Sequence, residues 1–170
     1  DVRDYTMTRS SIKIKTVNGK MLADNIGYMR ISMFNEQTHT EFIKKYQELE
    51  KEGMQAIILD LRDNPGGLLD ESVKVANKFV PKGPVVSVIT RDGRRDTSTS
   101  NLDAVKYPCV VLVNGGSASA SEIVAGAIQD TEAGTLVGTK TFGKGSVQTI
   151  MRLDGGAAIK LTIAKYYTPN

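Results

Sequence analysis

Apolar residues recur at every second position over SSIKIKTV (10–17) and over NIGYMRISMF (25–34), the spacing of strands with one buried face, and VNGK between them reads as a turn. The period then changes. Phe42, Ile43, Tyr46 and Leu49 fall at helical spacing, with Thr38 and Glu41 predicting a capping box at the start and Gly53 a stop. AIILDL (56–61) is almost wholly apolar, as in a strand covered on both faces of a parallel sheet, and DNPGG (63–67) breaks it. Leu69, Val73, Ala76 and Val80 trace a second helix closed by Pro81 and Gly83. PVVSVIT (84–90), CVVLVN (109–114) and a short segment near LVGT (136–139) read as strands, and a third helix follows GGSASAS. SVQTIMRL and AAIKLTIAKYY, joined by DGG (154–156), predict an antiparallel hairpin. The polar stretch RDGRRDTSTSNLDAVKYP is expected to be a long connection of the functional or mobile kind. Strands alternating with helices, plus a mixed edge, give an α/β fold: a layered mixed sheet with flanking helices.

Composition narrows the function classes. At 170 residues, with 40% hydrophobic and 24% charged residues, the chain suits one ordinary domain with its own core. No apolar run approaches the ~20 residues that cross a bilayer, so no membrane span is expected in this chain. The net charge of +3 comes from 22 basic and 19 acidic residues interspersed along the sequence, which leaves no block for phosphates; nucleic acid is not an expected partner. The single cysteine, Cys109, sits in YPCVVLV and reads as a small buried residue. The single histidine, His39, lies among polar residues at a helix start, so any mechanism that needs an imidazole must use an unpromising one.

Three glycine-rich breaks follow strands: DNPGG (63–67), NGGSASAS (114–121) and TFGKGS (141–146). Ligands in α/β sheets gather beyond the carboxyl ends of strands, so these loops are candidates to meet at one site. Ser117, Ser119 and Ser121 compete as nucleophiles where a strand turns into a helix whose free N–H groups favour an oxyanion, although serine is also a preferred helix cap. With one histidine available, the base is a carboxylate or an uncharged lysine. Lys144 stands out, flanked by Gly143 and Gly145 and bracketed by Phe142 and Val147, where burial would favour the neutral amine. GTKTFGK (138–144) also matches the first seven positions of a phosphate-binding P-loop, but Gly145 replaces the required Ser or Thr, and SVQTIMRL alternates like a strand where a P-loop opens a helix.

The ordered set NIGYMRISMF, IILDLRDNPGGLL, VVLVNGGSASASEIVAGAIQD and VGTKTFGKGSVQT resembles the carboxyl-terminal processing peptidases, tail-specific serine endopeptidases with a Ser-Lys dyad, over nearly everything from residue 10 onward. The resemblance implies a ClpP/crotonase-like protease core over 10–170, with TMTR in residues 1–9 as the remnant of a junction to a PDZ domain. It puts the nucleophile on Ser119, the base on Lys144 and a supporting glutamine on Gln148. Positions 144 and 148 share a face if both lie on one strand. It assigns the oxyanion hole to the backbone amides of Ala120 and of Gly66 or Gly67, without choosing between the glycines. Arg62 and Asp63 are expected to brace that loop, with Asp63 as a possible second acid. No metal or organic cofactor is implied. Expected partners are protein or peptide substrates with accessible C-terminal tails, captured in the full-length protein by the PDZ domain. The resemblance also implies an extracytoplasmic location, in the periplasm, at a bacterial cell surface or in a plant thylakoid lumen. A non-catalytic peptide- or ligand-binding module on the same scaffold is the rival reading.

Overall fold

The computed structural model describes residues 4–8 and 14–170. Part of the proposed 1–9 junction, residues 1–3 and 9, lies outside the described residues, as do 10–13 of the first expected strand, while 14–16 belong to no strand. The first strand, β1 (Val17–Met21), runs through the VNGK stretch that reads as a turn. Gly19 explains the difference. A Cβ there would come within 2.8 Å of Lys45 Cγ and 2.9 Å of the Tyr28 carbonyl oxygen, so this glycine serves close packing rather than chain reversal. The reversal falls at residues 23–25, where Asp24 and Asn25 take φ of 57° and 55°.

The fold is α/β, with the expected mixed sheet and flanking helices, and a second, antiparallel sheet is formed by strands that alternation alone assigns to its edge. The first has the order β1-β2-β3-β6-β7, with β2 (Ile26–Ile31), β3 (Ala56–Asp60), β6 (Cys109–Val113) and β7 (Thr135–Gly138) mutually parallel and β1 antiparallel at the edge. The second is antiparallel, in the order β5-β4-β9-β8: β5 (Arg95–Ser100), β4 (Gly83–Thr90), β9 (Ala158–Tyr167) and β8 (Ser146–Arg152). The polar connection after Thr90 therefore contains a strand. RDTSTS shows little apolar alternation because β5 is an exposed edge, held in part by a Ser87–Thr97 hydroxyl pair 2.9 Å apart.

Three helices, α1 (Thr38–Lys51), α2 (Leu69–Ala76) and α3 (Ala120–Asp130), supply the other half of the core. Phe42 and Leu49 of α1, Val75 of α2 and Ile123, Val124 and Ile128 of α3 are buried with Met29, Ile31, Ile57, Leu59 and Val111 of the first sheet. Full burial of one such side chain contributes about 1.5–3 kcal/mol, so this cluster dominates stability. The expected capping box on α1 does not form. Glu41 instead accepts the backbone amides of Thr16 (2.8 Å) and Val17 (3.0 Å), which fixes the entry to β1, and Thr38 Oγ1 accepts the amide of Asn35 at 2.9 Å. On the second sheet the β8–β9 hairpin leaves Met151, Ile159, Leu161 and Ile163 exposed.

Candidate active site

Buried β3 and β6 end side by side, and the loops after them are tied into one unit by side chains that look like turn formers in sequence. Asn114 Oδ1 accepts the amides of Asp63 (2.9 Å) and Gly116 (3.0 Å), and its Nδ2 donates to Asp63 Oδ1 at 2.9 Å. Asn64 is fully buried; its Nδ2 donates to the Ile31 carbonyl and its Oδ1 accepts the Gly66 amide, each at 2.9 Å. Its carbonyl accepts the amide of Ala118 and the hydroxyl of Ser121. Arg62 braces the strand end below this loop by a double contact with the buried Asp60 carboxylate, which also accepts the Tyr28 hydroxyl at 2.6 Å. Burial pushes the Asp60 carboxyl up, but the Arg62 and Tyr28 donors outweigh it and leave the group at about 2. Asp63 is mostly exposed, loosely paired with Arg30 at 3.9 Å, and occupied with Asn114.

The three candidate serines separate by environment. Ser117 is buried, donates to the Leu61 carbonyl at 2.7 Å and accepts the Asn114 amide at 3.0 Å. Ser121 is buried and donates to the Asn64 carbonyl at 2.9 Å. Ser119 is half-buried at the N-terminus of α3, with φ 57° and ψ −117°, a conformation that costs a non-glycine residue of the order of 1–3 kcal/mol. The DNPGG turn lies directly against it: a Cβ on Gly66 would stand 2.7 Å from Ser119 Cβ and 2.9 Å from the Ala120 nitrogen.

Lys144 and Gln148 approach from the second sheet. Lys144 lies in the loop before β8, and a bulge between Val147 and Gln148 interrupts the strand, so simple alternation does not put the two side chains on one face. Both residues nonetheless reach the same cavity. Ser119, Ala120, Gly67, Lys144, Gln148 and Tyr166 all line one cavity of about 320 Å³. Among the described residues Lys144 Nζ makes no hydrogen bond or ion pair, and Gln148 Nε2 reaches only Thr162 Oγ1 at 3.4 Å.

Two residues that sequence reasoning missed hold the loops together. Glu122 accepts the amides of Ser119 (2.8 Å), Gly143 (2.7 Å) and Lys144 (2.9 Å) and the hydroxyl of Thr141 (2.8 Å). Burial raises its carboxyl, yet these four donors outweigh burial and hold it below the ordinary glutamate range. The signal was present as the Ser-x-x-Glu spacing of a capping box at 119–122. Tyr166 has no comparable local signal; its hydroxyl lies 2.8 Å from Ser119 Oγ, and its amide donates to the Gly145 carbonyl at 3.0 Å.

The amides offered to a substrate oxygen are also specific. That of Gly66 is spent on Asn64, whereas those of Gly67 and Ala120 have no partner among the described residues, and both of these residues line the cavity. His39 lies on α1, its amide bonded to Glu71 Oε2 at 2.8 Å, and it lines no part of this cavity. Burial lowers its imidazole from the ordinary histidine value. No three His, Cys, Asp or Glu side chains converge to hold a metal among the described residues. The GTKTFGK segment leads into strand β8, not into the helix a P-loop requires.

Residues 25–170 match the family described as peptidase family S41. This chain belongs to that family. The S41 core is 42% identical to a carboxyl-terminal-processing protease of Synechocystis over 98% of the chain and 40% of the relative. It is 40% identical to a C-terminal processing peptidase, chloroplastic, of Tetradesmus obliquus, over 85% of the chain and 32% of the relative. Its fold superposes on a photosystem II D1 C-terminal processing protease with a TM-score of 0.83 at 36% identity, covering 95% of this chain and 46% of that one. The chain therefore spans less than half the length of these relatives, and no helix among its described residues is long and apolar enough to cross a membrane.

Proposed function

We propose that this S41 core cleaves peptide bonds near the C-termini of protein substrates through an acyl-enzyme on Ser119. The neutral amine of Lys144 takes the Oγ proton as Oγ bonds to the scissile carbonyl carbon. The carbonyl π pair moves onto oxygen, which the amides of Gly67 and Ala120 receive. Collapse of the intermediate breaks the C–N bond, and Lys144 returns the proton to the departing amine. Water then attacks the ester by the same route in reverse, while Gln148 orients the lysine. The observation that carries this reading is the convergence of Ser119, Lys144, Gln148 and the two unpartnered amides on one cavity. Capture of substrate tails by a PDZ domain elsewhere in the full-length protein, and an extracytoplasmic or thylakoid-lumen location, belong to the same proposal.

A fluorophosphonate probe tests it, because only an activated serine is phosphonylated. Labelling that maps to Ser119, rises with pH and disappears in Lys144→Arg is expected. An inert Ser119 in a chain that still binds peptide would assign a binding module instead.

A further inference from the structure

We propose that Tyr166 is a further catalytic residue, donating its phenolic proton to Ser119 Oγ throughout the cycle and so stabilising that oxygen whenever it carries charge. The proposal rests on the Ser119–Lys144 reading above.

The two hydroxyls lie 2.8 Å apart, and the Tyr166 hydroxyl has no other hydrogen-bond partner among the described residues. One bond uses one of the two protons. If serine were the donor, its proton would be engaged by the phenol, and the tyrosine proton would face no acceptor among the described residues. If tyrosine is the donor, the serine proton is released from the phenol and is available to Lys144, which lines the same cavity, as the proposed transfer requires. Only the second arrangement suits the proposed transfer to Lys144.

The backbone supports the same role. Tyr166 N–H donates to the Gly145 carbonyl, so one residue fixes both the loop that carries the proposed base and the oxygen that this base deprotonates. Its ring packs against the hydrophobic core, which limits the rotamers open to the hydroxyl. Chemically, Oγ carries negative charge twice: when it loses its proton to Lys144, and when it leaves the acyl-enzyme as water attacks. In both steps the phenol keeps its proton and donates it as a hydrogen bond. This differs from the oxyanion amides, which serve the carbonyl oxygen.

The test compares fluorophosphonate labelling of Ser119 in the full 170-residue chain for wild type, Tyr166→Phe and Tyr167→Phe. Tyr166→Phe removes one oxygen atom, and its labelling rate is expected to fall about tenfold or more at every pH, by loss of one donor to a charged oxygen. The pH midpoint of the rate should stay in place, since Lys144 remains the base, and Tyr167→Phe should match wild type. A Tyr166→Phe rate equal to or faster than wild type overturns the proposal, as does a displaced midpoint, which would make Tyr166 the titrating base. Should Tyr166→Phe fail to fold, 3,5-difluorotyrosine at position 166 keeps the ring and sharpens the donor. It should label at least as fast as wild type below its own ionisation, and slower labelling there overturns the proposal. A wild-type chain that fails to label would overturn the dyad reading itself, a result separable from a labelled wild type with an indifferent Tyr166→Phe.

Discussion

Glu122 accepts the backbone amide of Lys144 at 2.9 Å, across 22 residues of chain. The same carboxylate holds the amide of Ser119, so a single acidic group sets the spacing between the proposed nucleophile and the proposed base without touching either side chain. Glu122→Ala should therefore slow fluorophosphonate labelling at least tenfold. It should also lower unfolding stability by about 2 kcal/mol, from orphaned donors to a charged acceptor. Glu122→Gln, which keeps one acceptor oxygen, should fall between. Labelling kinetics and a urea titration on the same samples check both effects.

Acid should weaken the site before it unfolds the core. Glu122 and Asp60 are both held below their ordinary values, so the folded chain binds fewer protons than the unfolded chain at mildly acidic pH. Their contribution is complete above the unfolded carboxylate range near pH 4–5 and disappears as pH falls through the folded values, for Asp60 down to about 2. Asp60 alone accounts for about 2 kcal/mol of this dependence. Urea midpoints measured from pH 7 to 2 should fall through that window, and Asp60→Asn should flatten the curve while lowering the neutral-pH plateau.

Replacing the serines one at a time should give three different outcomes. Ser119→Ala should abolish labelling and change stability little, because the hydroxyl it removes is half-buried and bonded to the Tyr166 hydroxyl rather than to a buried backbone group of the neighbouring loop. Ser117→Ala leaves the Asn114 amide without its partner and the Leu61 carbonyl with only the Asn64 amide at 3.3 Å, at a cost of about 1–3 kcal/mol. Ser121→Ala should cost less, since the Asn64 carbonyl keeps the Ala118 amide. Thermal midpoints rank them.

His39→Ala should label at the wild-type rate with an unchanged pH profile, because the imidazole sits on α1 outside the cavity and only its backbone amide is tied to Glu71. A lost acid limb in that variant would return the base function to histidine.

Gly66→Ala should remove labelling more completely than it removes the fold. The added methyl would press on Ser119 Cβ at 2.7 Å, and φ of 97° disfavours any L side chain. Circular dichroism and labelling measured together separate the two effects.

The sequence made legible those parts of the molecule where one local rule acted alone. The all-apolar runs at 56–61 and 109–114 became the central parallel strands, and the Phe42, Tyr46 and Leu49 spacing became the buried stripe of α1. Local signals misled where a tertiary contact outbid them. Asn18-Gly19 reads as a turn but lies in β1 because α1 packs against that glycine, and Glu41 reads as a cap but is drawn to the amides of Thr16 and Val17. Exposed RDTSTS carries no hydrophobic pattern, so its strand character comes only from pairing with β4. At the site, Ser119, Lys144, Gln148, Ala120 and Gly67 line one cavity. Preference for Gly67 over Gly66 needed the Asn64 side chain, and Tyr166 stands 47 residues from its partner, beyond any spacing rule.

Cys109 lies buried on β6 between β3 and β7, and burial pushes its thiol up to about 12. A thiol so placed is silent toward alkylating reagents while the sheet is closed, and becomes an ordinary reactive cysteine once the parallel strands part. The chain thus carries its own clock for global opening. The rate of Cys109 alkylation under native conditions counts excursions of the central sheet, while phosphonylation of Ser119 counts only the competence of the cavity above it. Read together on one sample, the two reagents distinguish a variant that has lost its chemistry from one that has lost its architecture.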